Sequence, residues 1–312
     1  MDIVLLMPGQ GSQKVGMGRD LADAFPEARD VFATVDEAVS APLTTLMFEG
    51  PADELTRTSN AQPALLAHSA AVWAVVKNAL SPHVRAAAGH SLGEFSAYHA
   101  VGALSLADAA RVVRTRGNLM FEQGVARPGA MSAILGALTK SIDDICAQAT
   151  AEAALVVPAN YNSAEQVVIS GEVAGVERAM QLAKDAGAKR ALPLPVSGAF
   201  HSPLMAPAAD GLAVALNAAN MLDNTIPVFA NVDATPVRDA VTARRLLVQQ
   251  LTAPVQWIFV MQKLAEAHPG ALFVELGSGG VLSGLAKRIV PGANTVACGT
   301  VAEVEALLKQ VA

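Results

Sequence analysis

The chain has 312 residues, with 22 Lys and Arg against 28 Asp and Glu, a formal charge of -6, 52% hydrophobic and 16% charged residues. At about 150 residues per domain this is one or two domains with enough chain to bury a full core, and the apolar fraction excludes a disordered protein. The acidic balance argues against a nucleic-acid binder, which concentrates basic surface against phosphate.

Ile3 to Met7 reads as a buried strand closed by Pro8, Gly9 and Gly11. Met17 to Phe25 and Pro26 to Val39 read as helices, and Gln62 to Leu80 as a long amphipathic helix. Gln62, His68 and Ser69 break its apolar surface, so no run of about 18 apolar residues suggests a membrane span. Asp2 ahead of a short apolar run lacks the basic start of a signal peptide, and the expected location is cytoplasmic. Val84 to Ala88 is a short strand running into Gly89-His90-Ser91-Leu92-Gly93, with a helix beginning near Glu94. Ser105 and Asp108 cap a further helix that continues to about Glu122.

The texture changes after Arg127-Pro128-Gly129. Strands are expected at Ala130 to Leu135, Leu155 to Asn160, Gln166 to Ser170 and Lys189 to Leu194, with helices at Ser141 to Thr150 and Val173 to Ala186. That order, β-α-β-β-α-β, is a ferredoxin-like unit. Strands near Ile226 to Asn231 and Leu272 to Leu276 return the chain to α/β texture. The expected organisation is a larger α/β domain, residues 1–127 and 197–312, with a small domain, 128–196, inserted in its middle. Two cysteines, Cys146 and Cys298, are too few for a disulfide framework or zinc site and read as reduced core residues.

Gly89-His90-Ser91-Leu92-Gly93 matches the G-x-S-x-G nucleophile elbow, with the strand before and helix after that the motif requires. A sharp turn there lifts Ser91 Oγ clear of the backbone, and the helix start offers free N–H groups to developing negative charge. Pro8-Gly9-Gln10-Gly11-Ser12-Gln13 misses both the Walker and the dinucleotide patterns, with Lys14 where a third glycine belongs. It reads as a tight turn or as a strand-end loop supplying a backbone N–H to an oxyanion. Gly277-Ser278-Gly279-Gly280 also misses the nucleotide patterns and reads as packing. Six histidines, His68, His83, His90, His99, His201 and His268, are candidates for a base. His90 adjoins the nucleophile, and neighbouring side chains on a tight turn diverge; His68 and His99 lie in apolar helical stretches. His201, in a loop after the inserted domain, ranks first and His268 second, and the pattern leaves the choice between them open. Arg116, inside an apolar helix, reads from spacing alone as a solvated or snorkelling residue; facing a site, it would be a bidentate carboxylate receptor.

Together these elements resemble the malonyl-CoA:acyl carrier protein transacylases of fatty acid synthesis over nearly the whole chain. The resemblance is carried in order by Pro8 to Gln13, Gln62-Pro63-Ala64-Leu65, Gly89 to Glu94, Arg116-Gly117, Gly129-Ala130-Met131, Asn160 to Asn162, Ala199-Phe200-His201-Ser202 and Pro254-Val255-Gln256-Trp257. It implies an α/β-hydrolase-like large domain with the ferredoxin-like insert, and a site in the cleft between them. It implies that Ser91 is acylated, that His201 is its base, and that the main-chain carbonyl of Gln250 orients the histidine. The Gln10 and Leu92 N–H groups would form the oxyanion hole, Arg116 would hold the malonyl carboxylate, and Phe200 would crowd out an α-methyl branch. No metal or organic cofactor is implied, and coenzyme A enters as a substrate carrier. Ser278, where relatives commonly carry proline, and Gly280, where some carry lysine, depart from the pattern away from this chemistry. Carrier proteins are acidic, so docking on a net-negative enzyme needs a local basic patch, for which Lys189, Arg190, Lys287 and Arg288 are candidates. The alternatives are an acyltransferase of a polyketide synthase or malonate decarboxylase system, a serine esterase using Asp239 and His268, and an inactive carrier-protein binder.

Overall fold

A computed structural model describes residues 1–196 and 198–311; Ser197, the expected first residue of the returning segment, and Ala312 lie outside it. Two sheets organise the chain. The larger is six-stranded, built from β1 (Ile3–Met7), β2 (Val84–Gly89), β7 (Val228–Phe229), β8 (Pro236–Val237), β9 (Leu272–Leu276) and β10 (Asn294–Cys298) in the order β10-β9-β1-β2-β7-β8. All neighbours are parallel except β8 against β7. The run Ile3 to Met7 is apolar at every position because both faces are covered, as parallel sheets require. Ile3, Leu5 and Met7 join one core with the long helix Thr58–Leu80, whereas Val4 and Leu6 join a second with Trp257, Val260 and Leu264.

The smaller sheet holds β3 (Ala130–Leu135), β4 (Val156–Ser163), β5 (Gln166–Gly171) and β6 (Arg190–Pro193), in the antiparallel order β4-β5-β3-β6. Helices Ile142–Glu152 and Val173–Asp185 complete the expected β-α-β-β-α-β sequence and cover it with their own core. It meets the larger unit through main chain. Tyr161 N–H donates to Val255 O at 2.9 Å and Val255 N–H to Ala159 O at 2.8 Å.

Element boundaries differ from the sequence reading where local chemistry intervenes. The first helix begins at Arg19 rather than Met17, because Gly16 and Gly18 adopt φ of 91° and 82°. The long helix begins at Thr58 rather than Gln62. Pro63 cannot donate to the Ser59 carbonyl four residues back. Arg114 Nη1 fills that gap, donating to Ser59 O at 2.6 Å, so the helix runs through the proline. This helix is long and apolar enough to cross a membrane, but most of it lies inside the protein. The expected strand from Ile226 to Asn231 shrinks to Val228–Phe229. Asn231 leaves the ladder because its N–H goes to the Glu94 carboxylate at 3.1 Å and its carbonyl accepts Gln256 N–H at 2.8 Å. Ser105 caps its helix as expected, accepting from Asp108 N–H, and Ser141, expected as a first helical residue, instead caps the helix Ile142–Glu152 by accepting from Asp144 N–H.

Candidate active site

The site forms where the carboxyl ends of the two central strands lie side by side, the usual ligand crevice of an open α/β sheet. Met7 pairs with Gly89, and His90 N–H donates to Met7 O at 3.0 Å, so the loop after β1 and the turn after β2 are neighbours. Ser91 sits between β2 and the helix Leu92–Ala100 with φ 52° and ψ -106°. Side chains at Gly89 or Gly93 would strike, respectively, the Gly93–Glu94 backbone and the Met7 and Pro8 carbonyls, so only glycine lets the turn close this tightly.

Ser91 Oγ lies 2.7 Å from His201 Nε2. His201 Nδ1 lies 2.8 Å from the Gln250 main-chain oxygen, and a carbonyl can only accept, so the proton resides on Nδ1 and the Nε2 lone pair faces the serine. The imidazole is 4% exposed. Burial first, then the Arg116 guanidinium, pushes its pKa down to about 3, so it is neutral at physiological pH.

Arg116 is 1% exposed, which overturns the solvated reading from spacing alone. It projects from helix Leu106–Ala126 and donates from Nη1 to Gln62 Oε1 at 2.8 Å, and from Nη2 to Gln250 Oε1 at 2.8 Å and Ser91 Oγ at 3.1 Å. Its Nε–H has no partner among the described residues. Burial lowers its pKa to about 10, partly offset by Glu94, so it remains a cation in an apolar wall. Such a cation is a standing receptor for an anion.

These groups open on a cavity of about 200 Å³ whose lining includes Gln10, Leu92, Met120, Met131, Leu194 and Phe200. Neither Gln10 nor Leu92 main-chain N–H donates to an acceptor among the described residues. The Gln10 side chain is held away by its bond to Thr58 Oγ1 at 3.1 Å. Ser91, His201, Arg116, Gln10, Leu92, Gln250 and Phe200 are thus brought together.

Of the other histidines, His90 lines the cavity, and His68, His83, His99 and His268 do not. His268 ends the helix Trp257–Ala267, Asp239 caps the helix Ala240–Gln249 by accepting Thr242 N–H at 2.8 Å, and neither lines the cavity. His68 is buried with Nε2 on Gly299 O at 2.9 Å. His90 turns from the serine to Asn162 Oδ1 at 2.8 Å, tying the turn to the smaller sheet. Gly277 packs against Pro8 and Gly279 lies beside Ser12, while Ser278 to Gly280 line a separate cavity. Among the described residues no cluster of His, Cys, Asp or Glu has a metal-binding arrangement.

Sequence reasoning gave no role to the side chains of Gln62, Glu94, Asn231 and Gln250. The only signal was polarity in apolar surroundings: Gln62 stands among Ala and Leu, and Glu94 opens an apolar helix. Burial raises the Glu94 pKa to about 7, against the opposing effects of hydrogen bonds from Gln250 and Asn231 and the charge of Arg116.

Residues 4–290 match the acyl transferase domain family, and the chain belongs to it. It is 46% identical over 296 residues, 95% of this chain and 92% of the relative, to the malonyl CoA-acyl carrier protein transacylase of Bacillus subtilis. Among solved structures, the acyl-carrier-protein-S-malonyltransferase of Bartonella henselae superposes with a TM-score of 0.94 at 44% identity, covering 100% of this chain and 99% of that one. A malonyl-transacylase in complex with a type II polyketide acyl-carrier protein superposes with a TM-score of 0.93 at 41% identity, covering 99% and 100%.

Since only a neutral imidazole can accept a proton and the His201 pKa lies well below the ordinary 6.5, labelling of Ser91 by a fluorophosphonate should persist as pH falls from about 8 to about 5. A labelling rate that halves close to 6.5 would show that His201 titrates as an ordinary histidine.

Proposed function

We propose that this enzyme transfers the malonyl group from malonyl-CoA to the phosphopantetheine thiol of acyl carrier protein, through a malonyl ester on Ser91. The observation that carries this reading is the buried Arg116 guanidinium 3.1 Å from Ser91 Oγ. Malonate is a three-carbon diacid, so an acyl group esterified to Oγ keeps its free carboxylate within reach of that cation. The names of the relatives, and a structural neighbour bound to a carrier protein, support the same donor and acceptor.

In this reading His201 Nε2 takes the Ser91 proton as Oγ attacks the thioester carbonyl. The tetrahedral oxyanion is received by the Gln10 and Leu92 N–H groups, each worth about 3 kcal/mol in such sites. Coenzyme A leaves with the proton from His201, and the carrier-protein thiol then reverses the steps in a ping-pong cycle. The Gln250 carbonyl takes the place of the usual acid, holding the tautomer without adding charge. A bound carboxylate would offset the Arg116 charge that depresses His201, raising its basicity when substrate is in place. Phe200 narrows the cavity against an α-methyl branch.

We assign residues 1–127 and 197–312 to an α/β-hydrolase-like catalytic domain and 128–196 to a ferredoxin-like insert, supported by the two sheets and by the core that the smaller one shares with its own helices. No cofactor is required, since the base, the donors and the receptor are all side-chain or main-chain groups. Cys146 and Cys298 are free, and burial pushes both thiols up to about 12, in keeping with a cytoplasmic enzyme. Fatty acid synthesis is the pathway we infer; the polyketide carrier protein in the neighbouring complex supports a second carrier class.

Removing Arg116 should cost malonyl transfer about 2–5 kcal/mol of transition-state stabilisation, the range for breaking a buried charge pair. Acetyl transfer should fall far less in the same Arg116→Ala enzyme; equal losses with the two thioesters would defeat the carboxylate role.

Carrier docking is assigned to the exposed Lys189, Arg190, Lys287 and Arg288, none of which forms an ion pair among the described residues. The first two precede and open β6, whose chain continues into Leu194, Pro195 and Val196 at the cavity. Reversing these charges should raise KM for carrier protein and spare KM for malonyl-CoA, and unchanged values for both would remove the patch.

A further inference from the structure

Beneath the nucleophile lies a carboxylate that the transfer chemistry does not use. Glu94, 1% exposed, stands one turn into the helix that follows Ser91. Both of its hydrogen bonds fall on one oxygen. Oε2 accepts the Asn231 main-chain N–H at 3.1 Å and Gln250 Nε2–H at 2.7 Å, while Oε1 has no partner among the described residues.

Each of those two residues goes on to hold the site. The Asn231 side chain clamps both ends of the elbow: Nδ2 donates to Gly89 O at 2.7 Å, and Oδ1 accepts Ser91 N–H at 2.7 Å. Gln250 Nε2 also donates to Ser91 O at 3.1 Å. Ser91 N–H is thus held by the side chain of Asn231, whose main-chain N–H rests on Glu94 Oε2, and Ser91 O by the Gln250 amide, itself on Oε2, together with the Glu94 main-chain N–H at 3.1 Å. Ser91 needs such restraint, because its positive φ is a sparsely populated conformation for a residue with a Cβ.

The anchor also decides which way the Gln250 amide faces. Oε1 of that amide accepts Arg116 Nη2–H at 2.8 Å. A flipped amide would point N–H₂ at a guanidinium that can only donate, and would leave the Glu94 oxygen facing a carbonyl. With an acceptor at Glu94 Oε2, only the observed orientation satisfies both neighbours.

We propose that Glu94 is a positioning residue for acylation of Ser91, acting through Oε2 as a hydrogen-bond acceptor rather than through its charge. The proposal rests on Ser91 being the acylated nucleophile. Since one oxygen carries both bonds, a glutamine at this position can reproduce them, whereas alanine or leucine cannot. Glutamine also puts an amide nitrogen where the unpartnered Oε1 stood, a change in stability that leaves the geometry in place.

The test compares the parent with E94Q, E94A and E94L, the last filling the space should the alanine variant not fold. Fluorophosphonate labelling reports Ser91 geometry without any acyl donor, so it stands apart from the identity of the substrate. Single-turnover acylation by malonyl-CoA and by acetyl-CoA is read by intact mass alongside it. A parent that labels but takes no malonyl group refutes the transfer reading and leaves the labelling comparison intact. In E94A or E94L the labelling rate should fall about 100-fold, the scale of a misplaced reacting group. The preference for malonyl over acetyl should shrink as Arg116 loses its fixed partner. E94Q should restore both, which a general loss of stability would not do. Parental labelling in E94A or E94L, or a folded E94Q as slow as either, overturns the proposal.

Discussion

A guanidinium cation sealed inside the protein is the constraint on which the site depends. A buried charge costs several kcal/mol unless its surroundings compensate, of order what one buried ion pair loses when its partner is removed. Arg116 is compensated by the side-chain oxygens of Gln62 and Gln250, the second amide held in its orientation by the acceptor oxygen of Glu94. The same cation helps keep His201 neutral and lies 3.1 Å from the serine hydroxyl that faces His201 Nε2. One residue thus helps, after burial, to keep the histidine neutral and lies against the serine hydroxyl, and in the proposed reading it also selects the acyl group.

The fold supplies what such a site needs, rigid support from several directions. The parallel strands β1 and β2 bring two loops together at their carboxyl ends, one carrying Gln10 and the other Ser91. The histidine arrives from the segment that follows the smaller sheet and is itself held at φ 57°, so both members of the Ser–His pair occupy strained backbone. Gln250 reaches the site from the end of helix Ala240–Gln249, where its main chain serves the histidine and its side chain serves the arginine, the elbow and the glutamate. Polar groups of this kind, satisfied together in a dry interior, hold one geometry more strongly than any pair would alone.

Much of the architecture is legible in the sequence because its signals are local. Ile3–Met7 and Leu272–Leu276 are unbroken apolar runs between turn residues, and Ser105 and Ser141 stand three residues before the aspartates whose N–H groups they cap. The elbow is legible for the same reason, since its two glycines and its serine answer to one tight turn. The network beneath it is not. Ser91 meets Asn231 across 140 residues and Gln250 across 159, and no local pattern distinguishes an amide in such a bond from one on the surface. Arg116 misled the spacing argument because an arginine in an apolar helix reads as solvated, whereas the exposed face of this helix runs through Arg111, Asn118, Glu122 and Val125 and Arg116 lies off it. The strand at Val228–Phe229 falls short because Asn231 is drawn out of the sheet to serve the site, where tertiary bonding outweighs strand propensity.

The central claim is a malonyl ester on Ser91 that a carrier-protein thiol can discharge, and the intact mass of the protein tests it most directly. After incubation with malonyl-CoA, the parent should gain the mass of one malonyl group, Ser91→Ala should not, and holo acyl carrier protein should remove the adduct while becoming malonylated itself. An adduct that persists in Ser91→Ala, or one lost equally fast to water without carrier protein, would contradict the account.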